Sequence, residues 1–554
     1  MAEAGIGVGT GAAAGTVARL APPPTLPENE TPPPDTTTGV SRAETALAAV
    51  SRDLDDRAAN APDTAAEVLS AQSMMVADPV LAQWIRNALN DGQAVGHAVN
   101  TAFTSFADTL RAAGGYMAER AADLNDLRDR AIAHVLDQEM PGVPDPGHPF
   151  VLVAEDLAPA DTATLRSDRV VAIVTEFGGP TSHTAILAKS LGIPAVVSCP
   201  RAGELVDGDQ VLVDGATGEI TVDPDVGTLH RVEAAAAHRA ERLARSTGPG
   251  RTADGVPVSL LVNIGADHDL ADAAAVDSEG VGLLRTEFLY LGRETAPTVE
   301  EQQRSYAAVF EAFTGRRVVV RTLDAGADKP LGFVDHGDEP NPALGVRGLR
   351  LAQRHPDMLD QQLAAIAAAR EEHDADVWVM APMVSTPTEA TEFTTRARTH
   401  GLPVAGAMIE VPGAALRAGS VLHECDFLSI GTNDLGQYTF AADRMLGELA
   451  GLLDPWQPAL LELIATTAES GTTVGKPVGV CGEAAADPLL ALVLVGLGVT
   501  SLSMAPTAIP EVRLGLAEHS IDNCIALAKT ALTAPDAATA RTQVKAQAGS
   551  SAQS

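Results

Sequence analysis

Eight short apolar runs follow one another through the second half of the chain: Val258 to Asn263, Gly280 to Leu284, Val318 to Arg321, Val377 to Met380, Gly406 to Ile409, Phe427 to Ile430, Val478 to Val480 and Ser501 to Met504. Helical segments separate them. Eight strand and helix repeats over roughly 250 residues are what a (β/α)8 barrel of TIM type requires. Upstream, further short runs (Phe150 to Ala154, Val170 to Val174, Ala195 to Ser198, Gln210 to Asp214 and Glu219 to Val222) predict a compact α/β domain, to which the glycine-rich opening Gly5 to Val17 adds a strand. From Arg42 to about Gln138 the apolar residues fall at helical spacing, with Met117, Ala121, Leu124 and Leu127 along one face. That block predicts a helical bundle inserted into the α/β domain.

The fold class expected is therefore multi-domain α/β: an α/β domain over 1–20 and 145–225, a helical insertion over 40–144, a linker helix over 226–250 (Leu229 to Arg245, broken by Gly248-Pro249-Gly250), and a (β/α)8 barrel over 251–533. Residues 534–554 are expected to be a disordered tail. The Pro-rich stretch 21–39 predicts an exposed, partly extended connector.

Composition narrows the classes. The chain has 554 residues, of which 45% are hydrophobic and 3% aromatic, so its cores must be aliphatic. A formal charge of −35 argues against nucleic acid and anionic membranes as partners and favours a basic protein. The cysteines, Cys199, Cys425, Cys481 and Cys524, form no C-x-x-C pair, which speaks against zinc and disulfides and points to a reducing cytoplasm. The opening residues lack a basic region followed by a leucine-rich one, so no secretion is expected. The longest apolar run, Leu489 to Val499, is too short for a bilayer and predicts a buried helix.

In a TIM-type barrel the chemistry lies at the carboxyl ends of the strands. Arg285 ends the second run, Arg321 the third and Glu410 the fifth; Asn433 and Asp434 follow the sixth, and Cys481 ends the seventh. Arginine forks match carboxylate and phosphate, and paired carboxylates supply oxygen ligands to Mg²⁺. Singly, each has an ordinary alternative: Arg285 paired with Glu287, Glu410 capping the helix after Pro412, Asn433 and Asp434 in a plain turn. Their joint placement points to a site for a small, highly charged anion and a divalent ion.

A second candidate lies upstream. The Val170 to Val174 strand, the Gly178-Gly179-Pro180 turn, the capping types Thr181 and Ser182, and a helix from Thr184 to Leu191 put His183 at or near a helix start. Backbone N–H groups and the helix dipole would stabilise a phosphoryl group there, and neutral imidazole is a competent nucleophile. Turn chemistry alone leaves open a loop histidine satisfied by its own backbone.

The segment Gly178-Gly-Pro-Thr-Ser-His-Thr-Ala-Ile-Leu-Ala-Lys-Ser-Leu-Gly-Ile-Pro-Ala-Val-Val197 resembles the phosphohistidine signature of the phosphoenolpyruvate-utilising phosphotransferases. Gly280 to Leu289, Val320 to Asp324, Asn341 to Arg347, Met408 to Pro412, Phe427 to Thr439, Asp443-Arg444 and Val480 to Glu483 resemble the phosphoenolpyruvate-binding barrel of Enzyme I of the bacterial sugar phosphotransferase system. The resemblance covers Pro149 to Leu516, and the segment Tyr116 to Asp123 extends it weakly into the helical block. It implies a swivelling phosphohistidine domain at 1–20 and 145–225, a carrier-binding helical domain at 40–144, and a phosphoenolpyruvate-binding barrel. It further implies that His183 accepts the phosphoryl group of phosphoenolpyruvate and passes it to the carrier protein HPr, the first step of sugar uptake. Arg285, Arg321, Asn433, Asp434 and Arg444 would bind phosphoenolpyruvate, Glu410 and Asp434 would hold Mg²⁺, and Cys481 would donate the proton that completes pyruvate. Thr162 would lie near the imidazole, and the protein would be a cytoplasmic homodimer. Pro180 and Gly436 depart from residues frequent in the family, and neither is a proposed catalytic group.

Overall fold

The computed structural model describes residues 5–9, 11–58, 69, 72–113, 115–162, 165, 169–179, 182–265, 269–327, 329–337, 339–444 and 447–551. The chain divides into two compact units, Met1–Ala240 and Glu241–Ser554. In the first, strands β1 (Ile6–Val8), β2 (Ala12–Arg19), β3 (Phe150–Ala154), β4 (Val170–Thr175), β5 (Ala195–Val197), β6 (Gln210–Asp214) and β7 (Ile220–Val222) form one sheet. Its order is β1-β5-β4-β3-β2-β6-β7, parallel from β2 to β5 and antiparallel at both flanks. The glycine-rich opening thus supplies two strands. Gly7 is required for the close approach of β1, because a Cβ there would lie 2.5 Å from the Gly215 carbonyl oxygen. Both faces are covered: Phe150, Leu152 and Ala154 pack with Ala185 and Ala188, while Val151 and Val153 pack with Ala202 and Leu205. This explains the unbroken apolar character of β3.

The chain leaves the sheet after β2 and returns at β3, and the excursion is helical: Thr36–Ala58, Pro79–Asn90, Val95–Ala113 and Gly115–Val135. Leu124 and Leu127 are fully buried in its core, whereas the side chains of Met117 and Ala121 lie outside the described residues. Arg130 ties the bundle to the short helix Pro159–Thr162, bonding Asp126 at 2.8 Å and Asp161 at 2.7 Å. Burial raises the Asp126 carboxyl above its usual range against the pull of Arg130. On the bundle surface Met74 is exposed at 70%, whereas its neighbour Met75 packs against the bundle core.

The Pro-rich stretch is irregular and mostly exposed up to Asp35, as expected, but it is anchored to the bundle. Its last residues begin the helix at Thr36. Leu26 packs on the core, and the Glu30 carboxylate accepts the N–H groups of Gly96 at 3.0 Å and His97 at 3.3 Å, at the start of the helix Val95–Ala113. A carboxylate there satisfies orphan donors and meets the positive end of the dipole. Glu30→Ala should therefore cost the first unit about 1 kcal/mol, read as a lower denaturation midpoint with an unchanged slope.

In the second unit β8 (Ser259–Ile264), β9 (Gly280–Leu284), β10 (Arg317–Arg321), β11 (Asp376–Ala381), β12 (Ala405–Ile409), β13 (Leu428–Gly431), β14 (Val478–Cys481) and β15 (Ser501–Met504) close into a parallel barrel. Each run read from the sequence is one of these strands, shifted by no more than one residue at either end. The main core lies between strands and outer helices, and a smaller one (Leu283, Val319, Met380, Met408, Phe427 and Cys481) fills the interior. Leu490 to Val495 are buried in the helix Pro488–Gly496, and among the described residues no helix is long and apolar enough to cross a membrane.

Two expected boundaries are corrected. The linker helix runs Val226–Ala244, and the division between units falls inside it rather than at Gly250. The reason is local bonding: Arg513 donates to the Ser246 carbonyl at 2.7 Å and Gly250 N–H to Glu279 at 3.1 Å, so residues 246–250 belong to the barrel. The segment expected to be a disordered tail contains the helix Ala537–Ser551, with Ala540 and Val544 at 0% exposure and Ala548 at 8%. These residues recur every fourth position, and such a stripe of small side chains buries a helix whose composition looks like that of a tail.

Candidate functional site

After β4, Gly178 turns the chain with φ of 95°, and the helix His183–Leu191 follows. Pro180, Thr181 and the side chains of His183 and Thr162 lie outside the described residues, so only the backbone start of this helix locates the candidate histidine. Ser182 is the capping residue, its Oγ accepting the Ala185 N–H at 3.3 Å. Thr184, buried, reaches Asp156 at 3.5 Å, and Gly192, with φ of 68°, ends the helix. His183 thus opens a helix directly after a glycine turn, where backbone N–H groups lack intrahelical partners.

At the carboxyl end of the barrel the strands bring charges together. Arg321, the last residue of β10, is buried; it bonds Glu287 at 2.9 Å and lies 3.6 Å from Asp324 and 3.8 Å from Glu410. Burial alone would lower its pKa, but Glu287, Asp324 and Glu410 hold it above the usual arginine value. Asp324 is fully buried and takes a fork from Arg347, at 2.8 and 3.3 Å, with Lys329 at 3.5 Å. Burial works to raise this carboxyl, yet the cations Arg321, Arg347 and Lys329 keep it well below the carboxylate range.

Glu410 follows β12. Its Oε2 accepts the N–H of Met383 at 2.8 Å, and Met383 holds a left-handed φ of 57°, uncommon outside glycine. Burial pushes the Glu410 carboxyl up to about 8, with Asp434 and Asp324 adding to the rise. Asp434, in the first turn of the helix Thr432–Phe440 after β13, lies 3.3 Å from Arg347 and 3.7 Å from Arg444. Asn433 precedes it, half-buried. Cys481 ends β14 at 3% exposure, and the Ser429 hydroxyl donates to its Sγ at 3.1 Å. Burial pushes the thiol up to about 11, opposed by that hydrogen bond and by Arg321. Arg285 follows β9 with its side chain exposed.

Glu410, Asp434 and Asp324 each offer an oxygen within 4.8 Å of the others. Three carboxylates this close repel one another, and hard oxygen donors are what a small divalent cation selects, so the residues present fit Mg²⁺. The ordinary alternatives give way: Glu287 pairs with Arg321, not Arg285; Glu410 bonds Met383; and Asn433 and Asp434 begin a helix. Sequence reading assigned no role to Asp324 or Arg347. Both stand in quoted segments, Val320 to Asp324 and Asn341 to Arg347, but Arg347 lies on a long loop after β10 that strand-end counting does not reach.

Family models match three stretches of the chain: a PEP-utilising enzyme N-terminal domain over residues 4–120, a mobile domain over 146–218 and a PEP-binding domain over 239–521. A Streptomyces coelicolor protein named phosphoenolpyruvate-protein phosphotransferase is 51% identical over 98% of this chain and 98% of its own length. The chain belongs to the phosphoenolpyruvate-protein phosphotransferase family. Members from Haloferax volcanii, at 40% identity over 85% of each chain, and Bacillus subtilis, at 36% over 93% and 94%, are similar along most of their lengths. Within this phosphotransferase, the PEP-binding match spans every barrel residue described above and the mobile-domain match spans His183.

Proposed function

We propose that the barrel mouth binds phosphoenolpyruvate with Mg²⁺, that His183 takes its phosphoryl group and passes it to the histidine of the carrier HPr, and that pyruvate is released. The observation that carries this reading is the convergence of Arg321, Arg347 and Arg444 on a buried trio of carboxylates at the carboxyl ends of different strands. Arg285, Arg321, Asn433, Asp434 and Arg444 are the substrate-binding residues of this reading, and Glu410 and Asp434 hold the metal, with Asp324 beside them. A bound Mg²⁺ would neutralise charge on the phosphoryl oxygens in a loose transition state. The arginines orient the substrate anion and offset the charge that develops on its oxygens. Cys481 gives its proton to the enolate carbon once the P–O bond has broken.

In this reading the histidine and the barrel ligands belong to different units, and the phosphoryl group passes from one to the other. The net charge of −35 suits a basic carrier, and the helical insertion over 40–144 is the docking domain of this reading. We place the protein at the first step of the sugar phosphotransferase system, in the cytoplasm, as a homodimer. Incubation with radiolabelled phosphoenolpyruvate, Mg²⁺ and HPr tests the whole sequence: label should appear on this chain and then on HPr, acid-labile and base-stable as a phosphoramidate is.

Two further outcomes are expected. A fragment ending at Arg245 should fold and exchange phosphate with phosphorylated HPr, yet take none from phosphoenolpyruvate, because every proposed substrate ligand lies after it. A folded fragment that never exchanges would place the carrier surface on the barrel. Cys481→Ala should slow pyruvate formation by about tenfold or more while leaving phosphoenolpyruvate binding near the wild-type value, measured as separate kcat and KM effects.

A further inference from the structure

Ser429 sits on β13 facing the barrel interior, where its neighbours Leu428 and Ile430 face the outer core instead. The inner cluster around it is apolar, built from Leu283, Val319, Met380, Met408 and Phe427. Serine is an odd choice there on packing grounds, since a buried hydroxyl without a partner costs about 1–3 kcal/mol. Its hydroxyl, on a residue only 6% exposed, is directed at one atom: Oγ–H donates to the Sγ of Cys481 at 3.1 Å. Strand register sets up this contact. Gly431 pairs with Cys481 and Ser429 with Gly479, so serine and cysteine lie diagonally on adjacent strands, both pointing inward. The thiol's own donor direction, toward the Ile430 carbonyl at 3.6 Å, is long and weak.

We infer that Ser429 is a positioning residue for proton delivery: its hydroxyl fixes the sulfur of Cys481 and solvates the thiolate that remains when the proton has left. The inference rests on the reading of Cys481 as the acid. In that step the S–H bond breaks with its electron pair staying on sulfur, the proton bonds to C3 of the enolate, and the enolate oxygen becomes the C2 carbonyl of pyruvate. Solvent reprotonates the thiolate after pyruvate leaves. The apolar interior offers a thiolate few donors, so the Ser429 hydroxyl, the one hydroxyl bonded to the sulfur among the described residues, matters. Around the sulfur the charged groups are Arg321 and Arg285, which favour the thiolate, and Glu410, which opposes it.

The test compares Ser429→Ala, Ser429→Thr, Cys481→Ala and the double variant in the full-length protein with Mg²⁺. Losing a donor to a charged atom should lower the rate of pyruvate appearance about tenfold in Ser429→Ala, with the KM for phosphoenolpyruvate and the rate of label incorporation unchanged. Pyruvate should then lag behind phosphoprotein in a single turnover, a readout that loosened packing would not single out. Ser429→Thr keeps the hydroxyl and should restore the rate, and Ser429→Ala should add nothing in the Cys481→Ala background. Wild-type pyruvate rates in Ser429→Ala, or an equal loss in both backgrounds, would overturn the inference while leaving Cys481 as the acid. Full turnover by Cys481→Ala would remove the acid itself, and the inference with it.

Discussion

His183→Ala should incorporate no label from phosphoenolpyruvate while the barrel goes on binding it. The expectation follows from the division of labour along the chain: the histidine opens the helix His183–Leu191 in the first unit, and every proposed ligand of the anion is in the second. Within the stretch Gly178 to Val197 that resembles the phosphohistidine signature, His183 is the sole histidine. The measurement pairs label incorporation with binding of phosphoenolpyruvate by calorimetry in Mg²⁺. Undiminished labelling of the variant would sink the central proposal, and loss of both signals would point to damage beyond the histidine.

Glu410→Gln should move activity and stability in opposite directions. Transfer should be lost to background, because an amide is a poor ligand for the metal, whereas the amide oxygen can still accept the Met383 N–H. Stability follows from the carboxyl's raised pKa, which runs from an ordinary 4.5 to about 8 in the fold. A raised acid contributes its stability fully below the unfolded value, and that contribution is lost as pH rises from about 4.5 through about 8. Glutamine does not titrate. In chelator, therefore, the variant should melt no lower than the wild type at neutral pH and should show a flatter dependence of Tm on pH across that window. A variant that retained transfer would remove Glu410 from the metal site, and one that melted well below the wild type would show that the ionised carboxylate supports the fold.

The barrel was legible because a parallel strand buried on both faces writes a continuous apolar run, and the runs from Val258 to Met504 are separated by segments long enough to return a helix. Arg321, Glu410, Asp434 and Cys481 could be read because each directly ends or follows such a run. Arg347 and Asp324 could not be weighed the same way: their roles depend on a loop folding back so that Arg347 reaches both Asp324 and Asp434, a long-range contact with no local signature. The terminal helix was misread for a related reason. Ala540, Val544 and Ala548 carry too little apolar surface to mark a core face until the helix Ile521–Thr533 is there to receive them. The Pro-rich stretch likewise has no periodicity, and its order comes from the distant N–H groups that Glu30 finds at Gly96 and His97.

The helix Val226–Ala244 buries none of its residues, yet it crosses the boundary between the unit that carries His183 and the barrel. As a tether it sets an effective concentration: however weakly the two units attract each other, each histidine is confined near its own barrel, and the encounter becomes first-order. Cutting the chain there would leave the chemistry of both halves intact but turn their meeting into a bimolecular event, slow at dilute protein and recoverable by mass action. Labelling of the intact chain should by contrast run at a rate per molecule that dilution does not change.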